Sequence, residues 1–268
     1  MSKINKHSDL IINHYTNNYV EDERFINKGK RLEYLTTMHY IKKYLSKESK
    51  ILEIGAGTGA YSVELAKMGY DVTAVELVEN NLNIMKQKAK DIKNIKCLQG
   101  DALDLSRFED NSFDIVLNLG PMYHLYTEED RQKAIAESIR VCKENGIIIF
   151  AFIPHYSTVW YIAIKNNGMN QIKNSLLENG DIKIEPENLF ATYDIQEFKN
   201  QFDNQTKLLK LVASDSVGPL LSDRFENIND SDYEQFFKWH LKTCEKPEIL
   251  GIACHVLYIC KKENKNAK

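Results

Sequence analysis

Three acids in the first half of the chain each stand just behind a short apolar run. They are Glu53 in "KILEIG", Glu76 at the end of "YDVTAVE" and Asp101 in "LQGDA". Between the first two lies "GAGTG", with Gly55, Gly57 and Gly59. Glycines set this densely lose folding entropy, a loss that makes sense where the backbone has to come close to a ligand. A carboxylate at the end of a buried strand is costly unless it meets a cation or hydrogen-bond donors. Glu76 closes the next apolar run after the glycines, a placement from which a strand-end acid accepts both hydroxyls of an adenosine ribose. Asp101, between Gly100 and Ala102, stands at the mouth of a third strand, where an acceptor suits an adenine amino group.

Two cofactor classes carry adenosine on such a frame, nicotinamide dinucleotides and S-adenosylmethionine. "GAGTGA" satisfies the glycine spacing of either. Glu53 discriminates between them. Beside a pyrophosphate its charge is repulsive; beside an ammonium and a sulfonium it is attractive. Taken together, "ILEIGAGTG", Glu76, "GDA" and "FDIVLNLGPMYHL", in this order and at these distances, resemble the class I S-adenosylmethionine-dependent methyltransferases over nearly the whole chain. The sequence looks closest to a bacterial group with a G-P-[LM]-Y-H-L segment after strand four and a final H-x-L-Y strand, here Gly120–Leu125 and His255–Tyr258. The resemblance implies a cofactor set of Gly55, Gly57, Glu76, Asp101 and Ala102. Glu53, Ala56, Leu77, Gly100, Asn118 and Leu119 complete it, and Arg24 or Arg31 is the candidate for the cofactor carboxylate.

Methyl transfer from a sulfonium is an in-line displacement whose leaving group needs no protonation, so positioning carries much of the catalysis. A base matters only where the acceptor holds a proton at neutral pH. His124 is the first candidate for that base, with Tyr123 beside it, both directly after strand four. Ligands of open α/β sheets bind outside such strand ends. His155, Tyr156 and Trp160 follow strand five and, with Tyr123, are the candidates for the acceptor site. His240 and His255 are expected to be structural. Asn118-Leu119-Gly120-Pro121 departs from the [DN]-P-P-[YF] segment of many enzymes that methylate exocyclic or amide nitrogens.

The elements that must position these residues alternate strand and helix as far as Pro154, which implies a parallel sheet with right-handed crossovers. The expected fold is α/β: a Rossmann-like, seven-stranded, mostly parallel sheet with its last strand antiparallel. Residues 1–46 form an N-terminal helical segment covering the cofactor site, and 47–154 form the cofactor-binding core. Residues 155–192 form a cap inserted after strand five, and 193–268 complete the sheet. Within this frame the helix after Thr127 is expected to close at Asn145-Gly146, and two helices are expected between 216 and 253. Residues 1–30 are expected to order when cofactor arrives, and the "KKENKNAK" tail to be solvated.

Net charge is -3, so no global positive field draws the chain to nucleic acid or acidic lipid. No apolar run approaches the ~20 residues of a membrane span, and "MSKINKHSDLIINHY" has no long apolar core. The five cysteines include no C-x-x-C pair, and the seven histidines show no ligand spacing, so a reduced, cytoplasmic, metal-free protein is expected. The leading expectation is an S-adenosylmethionine-dependent methyltransferase acting on a small molecule. The alternatives are an RNA methyltransferase, a non-catalytic binder of the cofactor and an NAD-dependent oxidoreductase. Sequence leaves the acceptor, the methylated atom and the oligomeric state open.

Overall fold

The computed structural model describes residues 6–19, 21–165, 168–185, 190–202 and 205–263. The end of the tail (264–268) and parts of the expected cap (166–167 and 186–189) therefore lie outside the described residues. Seven strands form one sheet: β1 (Lys50–Ile54), β2 (Asp71–Glu76), β3 (Ile95–Gln99), β4 (Phe113–Asn118), β5 (Cys142–Phe152), β6 (Thr206–Ala213) and β7 (Val256–Lys262). Their order is β3-β2-β1-β4-β5-β7-β6. The first five are parallel, and β7 runs antiparallel to both its neighbours. This is the expected fold.

The apolar runs explain the order. After its first residue β1 is wholly buried, as is β2, which suits central strands covered on both faces. β3 mixes half-buried and exposed residues, as an edge strand does. The chain goes from β3 on one flank back across β1 to β4 on the other, so the order reverses beside β1. Ligands of open parallel sheets bind at that switch point, outside the carboxyl ends of the strands.

A helix over Lys28–Tyr44 begins at Asn27, whose side chain accepts from the amides of Gly29 and Lys30. Thr127 caps the helix Glu128–Val141 as expected, accepting from the Asp130 amide. That helix stops at Val141 rather than at Asn145-Gly146. The Arg140 and Val141 carbonyls accept from the amides of Asn111 and Ser112, which ties the end of the helix to the start of β4 in place of a further turn. Residues 142–146 instead open β5 as a bulge, with Asn145 at φ +63°. Between 216 and 253 there are three helices, Ser222–Glu226, Asp230–Thr243 and Pro247–Leu250, not two. A helix over His155–Trp160 follows β5 and continues as a wider turn through Tyr161–Lys165.

Candidate active site

The glycine loop leaves β1 by way of Gly55 and Gly57, at φ +70° and +56°. A side chain at Gly55 would put its Cβ 2.8 Å from the Pro121 ring, so the loops after β1 and β4 pack closely enough to require glycine. Glu76, buried at the end of β2, holds this loop in place. Its carboxylate accepts from the Gly57 amide at 2.7 Å and the Val78 amide at 2.9 Å, and Asn81 bonds it as well. Burial raises its pKa, with the two amides working against that. Asp101 accepts from the Leu103 amide at 3.0 Å.

These groups border an open cleft of about 860 Å³ at the switch point. Gly55, Gly57, Glu76, Leu77, Gly100, Asp101 and Ala102 all line it, as do Tyr123 and His124. Most of the residues assigned to the cofactor from sequence thus converge on one cleft. Others do not reach it. Ala56, Leu119 and Glu53 border a smaller adjoining cavity of about 350 Å³. Glu53 lies beneath the loop, where its carboxylate accepts from the Ser62 hydroxyl; burial pushes its pKa up to about 8. Asn118 is fully buried below the strand end, its amide donating to Ser138 at 3.3 Å. Arg31 is exposed and lines none of the three cavities, since it lies on the outward side of its helix.

Arg24, unlike Arg31, lines the cleft. Its guanidinium donates to Glu33 at 2.6 Å, to Glu21 at 3.4 Å and to the Tyr123 hydroxyl at 3.5 Å. Burial disfavours that charge, but Glu33, Tyr123 and Glu21 outweigh it, and the pKa is raised. The next acid, Asp22, accepts from the Thr58 hydroxyl at 2.8 Å and from Lys88. The Glu21-Asp22-Glu23-Arg24 knot is therefore tied down on the glycine loop. Its consecutive charges were visible in the sequence, but nothing there said what they touch.

A second open cavity, of about 1180 Å³, lies beside the first. Its wall is rich in rings, including Tyr19, Tyr161 and Phe190, and also holds Glu33 and His255. Tyr15, Glu21, Arg24 and Tyr123 line both cavities and so form the partition between them. Tyr15 bonds His124 Nε2 across 3.1 Å, and the Tyr123 hydroxyl donates to the Leu119 carbonyl at 3.0 Å.

Of the acceptor candidates, Tyr123 alone borders this cavity. His155 is buried, with Nδ1 2.7 Å from the Thr192 hydroxyl, and burial lowers its pKa. Tyr156 and Trp160 are exposed. Thr158, Tyr161 and Ile162 face the cavity instead. Helical spacing explains the difference, because positions 158, 161 and 162 share one face and 156 and 160 the opposite one. Glu21, Glu33 and His255 carried no site assignment from the sequence; Glu33 and His255 come from opposite ends of the chain, so no local motif could join them.

The comparisons with known proteins agree with this geometry. Residues 52–150, from β1 to β5, match a family described as a methyltransferase domain. The chain is 28% identical over 205 residues to a glycine/sarcosine N-methyltransferase of Aphanothece halophytica, covering 72% of each protein. It is 36% identical over 106 residues to a demethylmenaquinone methyltransferase of Staphylococcus aureus, covering 38% of this chain and 42% of that protein. A Bacillus subtilis methyltransferase, YqeM, is 32% identical over 112 residues, and the chain spans 45% of its length. Among solved structures, geranyl diphosphate C-methyltransferase from Streptomyces coelicolor superposes with a TM-score of 0.61 over 98% of this chain and 100% of that one. At 13% identity that likeness concerns the fold. Residues 52–150 thus form a methyltransferase domain, set in the seven-stranded fold of S-adenosylmethionine-dependent enzymes.

Proposed function

We propose that this protein transfers the methyl group of S-adenosylmethionine to a small-molecule acceptor held in the second cavity. The observation that carries this reading is the shared partition of Tyr15, Glu21, Arg24 and Tyr123. Cavities that share these residues adjoin, which sets a sulfonium in the first beside a nucleophile in the second, and such positioning supplies much of the rate. On this reading Glu76 receives the ribose hydroxyls, Gly100, Asp101 and Ala102 border the adenine, and Gly55 and Gly57 admit the methionine part. Tyr123 and His124 shape the partition. A ring-lined cavity suits a small molecule, and the net charge of -3 gives a nucleic acid no basic track. Among the described residues no helix is long and apolar enough to cross a membrane. The Gly120–Leu125 segment, on the same reading, is that of the bacterial group it resembles, and the enzyme works in the cytoplasm without a metal.

Calorimetric titration with S-adenosylmethionine, S-adenosylhomocysteine and NADH tests the cofactor. Both sulfur nucleosides are expected to bind in the micromolar range. Glu76→Ala is expected to weaken them about 10- to 100-fold, as loss of hydrogen bonds to a charged group does. NADH binding without a sulfur-nucleoside signal would make the oxidoreductase the better reading.

A further inference from the structure

The wall of the second cavity carries His255, which with the buried Asp215 behind it forms a pair that positioning alone leaves unused. His255, directly before β7, has Nδ1 2.7 Å from Asp215 Oδ2, and its backbone amide donates to Asp215 Oδ1 at 3.1 Å. Its carbonyl accepts from the Ser214 amide and the Ser214 hydroxyl, each at 3.0 Å. Asp215 is fully buried. Ser216, the next residue, holds φ +48°, a left-handed conformation that a non-glycine residue adopts at a cost. A histidine that only filled space would need none of this clamping. With Nδ1 turned to the carboxylate, Nε2 lies on the opposite edge of a ring that lines the cavity and is one-fifth exposed. The ring lies 6.1 Å from that of Tyr123, in the partition. Burial alone would lower the proton affinity of the imidazole, but Glu33 and Asp215 reverse this, against a smaller opposing effect of Arg24.

The charges around the pair point to the kind of acceptor. Glu21, Glu33 and Asp215 bring three carboxylates, while Arg24 already serves Glu33 and Glu21. Lys30, half-buried on the same wall, makes no ion pair among the described residues. Glu21 Oε2 is buried without a hydrogen-bond partner among the described residues. Burying such an oxygen is costly unless a ligand brings it a donor. Tyr15, Tyr19, Tyr123, Tyr161 and Phe190 also line the wall, and aromatic faces attract cations.

We propose that the second cavity takes a protonated amine as its methyl acceptor, and that His255, oriented by Asp215, removes the proton that frees the nitrogen lone pair. This rests on the methyltransferase reading above. In the step, the ammonium N–H bond breaks and Nε2–H forms. The freed pair then makes the N–CH₃ bond as the C–S⁺ bond breaks, giving an N-methylammonium and the neutral thioether S-adenosylhomocysteine. His255 afterwards releases its proton to solvent.

The test uses full-length protein loaded with S-adenosylhomocysteine. It is titrated at millimolar concentrations with glycine, sarcosine, ethanolamine and phenethylamine, and with the matched hydroxyl compounds glycolate, ethylene glycol and phenethyl alcohol. At least one amine is expected to bind about tenfold tighter than its hydroxyl partner, as a charge-assisted bond gives, and to be methylated when S-adenosylmethionine is supplied. His255→Gln and Asp215→Asn are each expected to keep nucleoside affinity within about twofold, since neither residue lines the first cleft. His255→Gln should lower kcat about 100- to 10,000-fold and abolish the acidic limb of its pH profile; Asp215→Asn should shift that limb. Thermal melting with nucleoside bound verifies that both variants fold. No amine binding, equal binding of the hydroxyl partners, binding without methylation, or His255→Gln with wild-type kcat and pH profile would each overturn the proposal. Failure of the wild type to bind the sulfur nucleosides would instead remove the reading on which it rests.

Discussion

Replacing Glu53 by glutamine should make the protein's stability less sensitive to pH, and the structure sets the size of the effect. The carboxyl is buried at the end of β1, bonded to the Ser62 hydroxyl, and the nearby Glu76 charge adds to the effect of burial. Its pKa is about 8 in the folded protein against 4.5 for an ordinary glutamate. Between those values the folded form keeps a proton that the unfolded chain has released. Stability therefore falls as pH rises through this window, by about 1.4 kcal/mol per unit. The difference of about 3.5 units (8 minus 4.5) caps the total at about 5 kcal/mol. Glutamine keeps an oxygen for the Ser62 hydroxyl and does not titrate, and any penalty for its unpartnered amide is the same at every pH. Urea unfolding of both proteins at intervals from pH 4 to pH 9 measures the gap between them. That gap should move in favour of Glu53→Gln by several kcal/mol, with most of the change between pH 5 and pH 8. A gap that stays constant across the range would mean that Glu53 is solvated or paired in the folded protein, and the burial argument would fail.

Three further outcomes follow from the same contacts. Gly57→Ala forces a side chain onto φ +56° with its Cβ 3.1 Å from Glu21 Cγ. It should cost about 1–2 kcal/mol in thermal stability and weaken S-adenosylhomocysteine in calorimetry, because the Gly57 amide also holds Glu76. Arg24→Met leaves the buried Glu33 without its 2.6 Å partner, so urea unfolding should show a loss of about 3–5 kcal/mol; a loss below about 1 kcal/mol, the range of solvated pairs, would mean the charge is not buried as described. The knot at residues 21–24 ties the N-terminal segment to the glycine loop, so cofactor in the first cleft should slow proteolysis within residues 1–30; equal cleavage rates with and without nucleoside would refute the coupling.

How far the sequence could be read depended on the distance between the residues that act together. The β1–loop–β2 unit is local, with Glu76 reaching back only 19 residues to bond the Gly57 amide. Apolar runs and glycines therefore conveyed the switch point and the cleft. The antiparallel β7 was legible because the terminal apolar strand came after a long excursion, which a continuing βαβ pattern would not produce. The end of the helix at Val141 was not legible. It depends on Asn111 and Ser112, just before β4, donating to the Arg140 and Val141 carbonyls, whereas Asn145-Gly146 offered a nearby local stop signal. The second cavity was the least legible part. Counting along the chain after β5 selected His155, Tyr156 and Trp160, but the helix turns Tyr156 and Trp160 away, His155 is buried against Thr192, and Thr158, Tyr161 and Ile162 face the cavity instead. Its charged wall includes Arg24, Glu33 and His255, with the buried Asp215 behind His255, and these meet only once β7 has slotted between β5 and β6. His255 looked like an ordinary first residue of a strand, because the carboxylate that fixes its ring lies 40 residues earlier. On the proposed reading, the cofactor cleft gathers the loops that follow β1 to β4, and the acceptor cavity forms only when β7 closes the sheet. Substitutions at the 214–216 corner should accordingly alter turnover of the acceptor and its pH profile while leaving the nucleoside site intact.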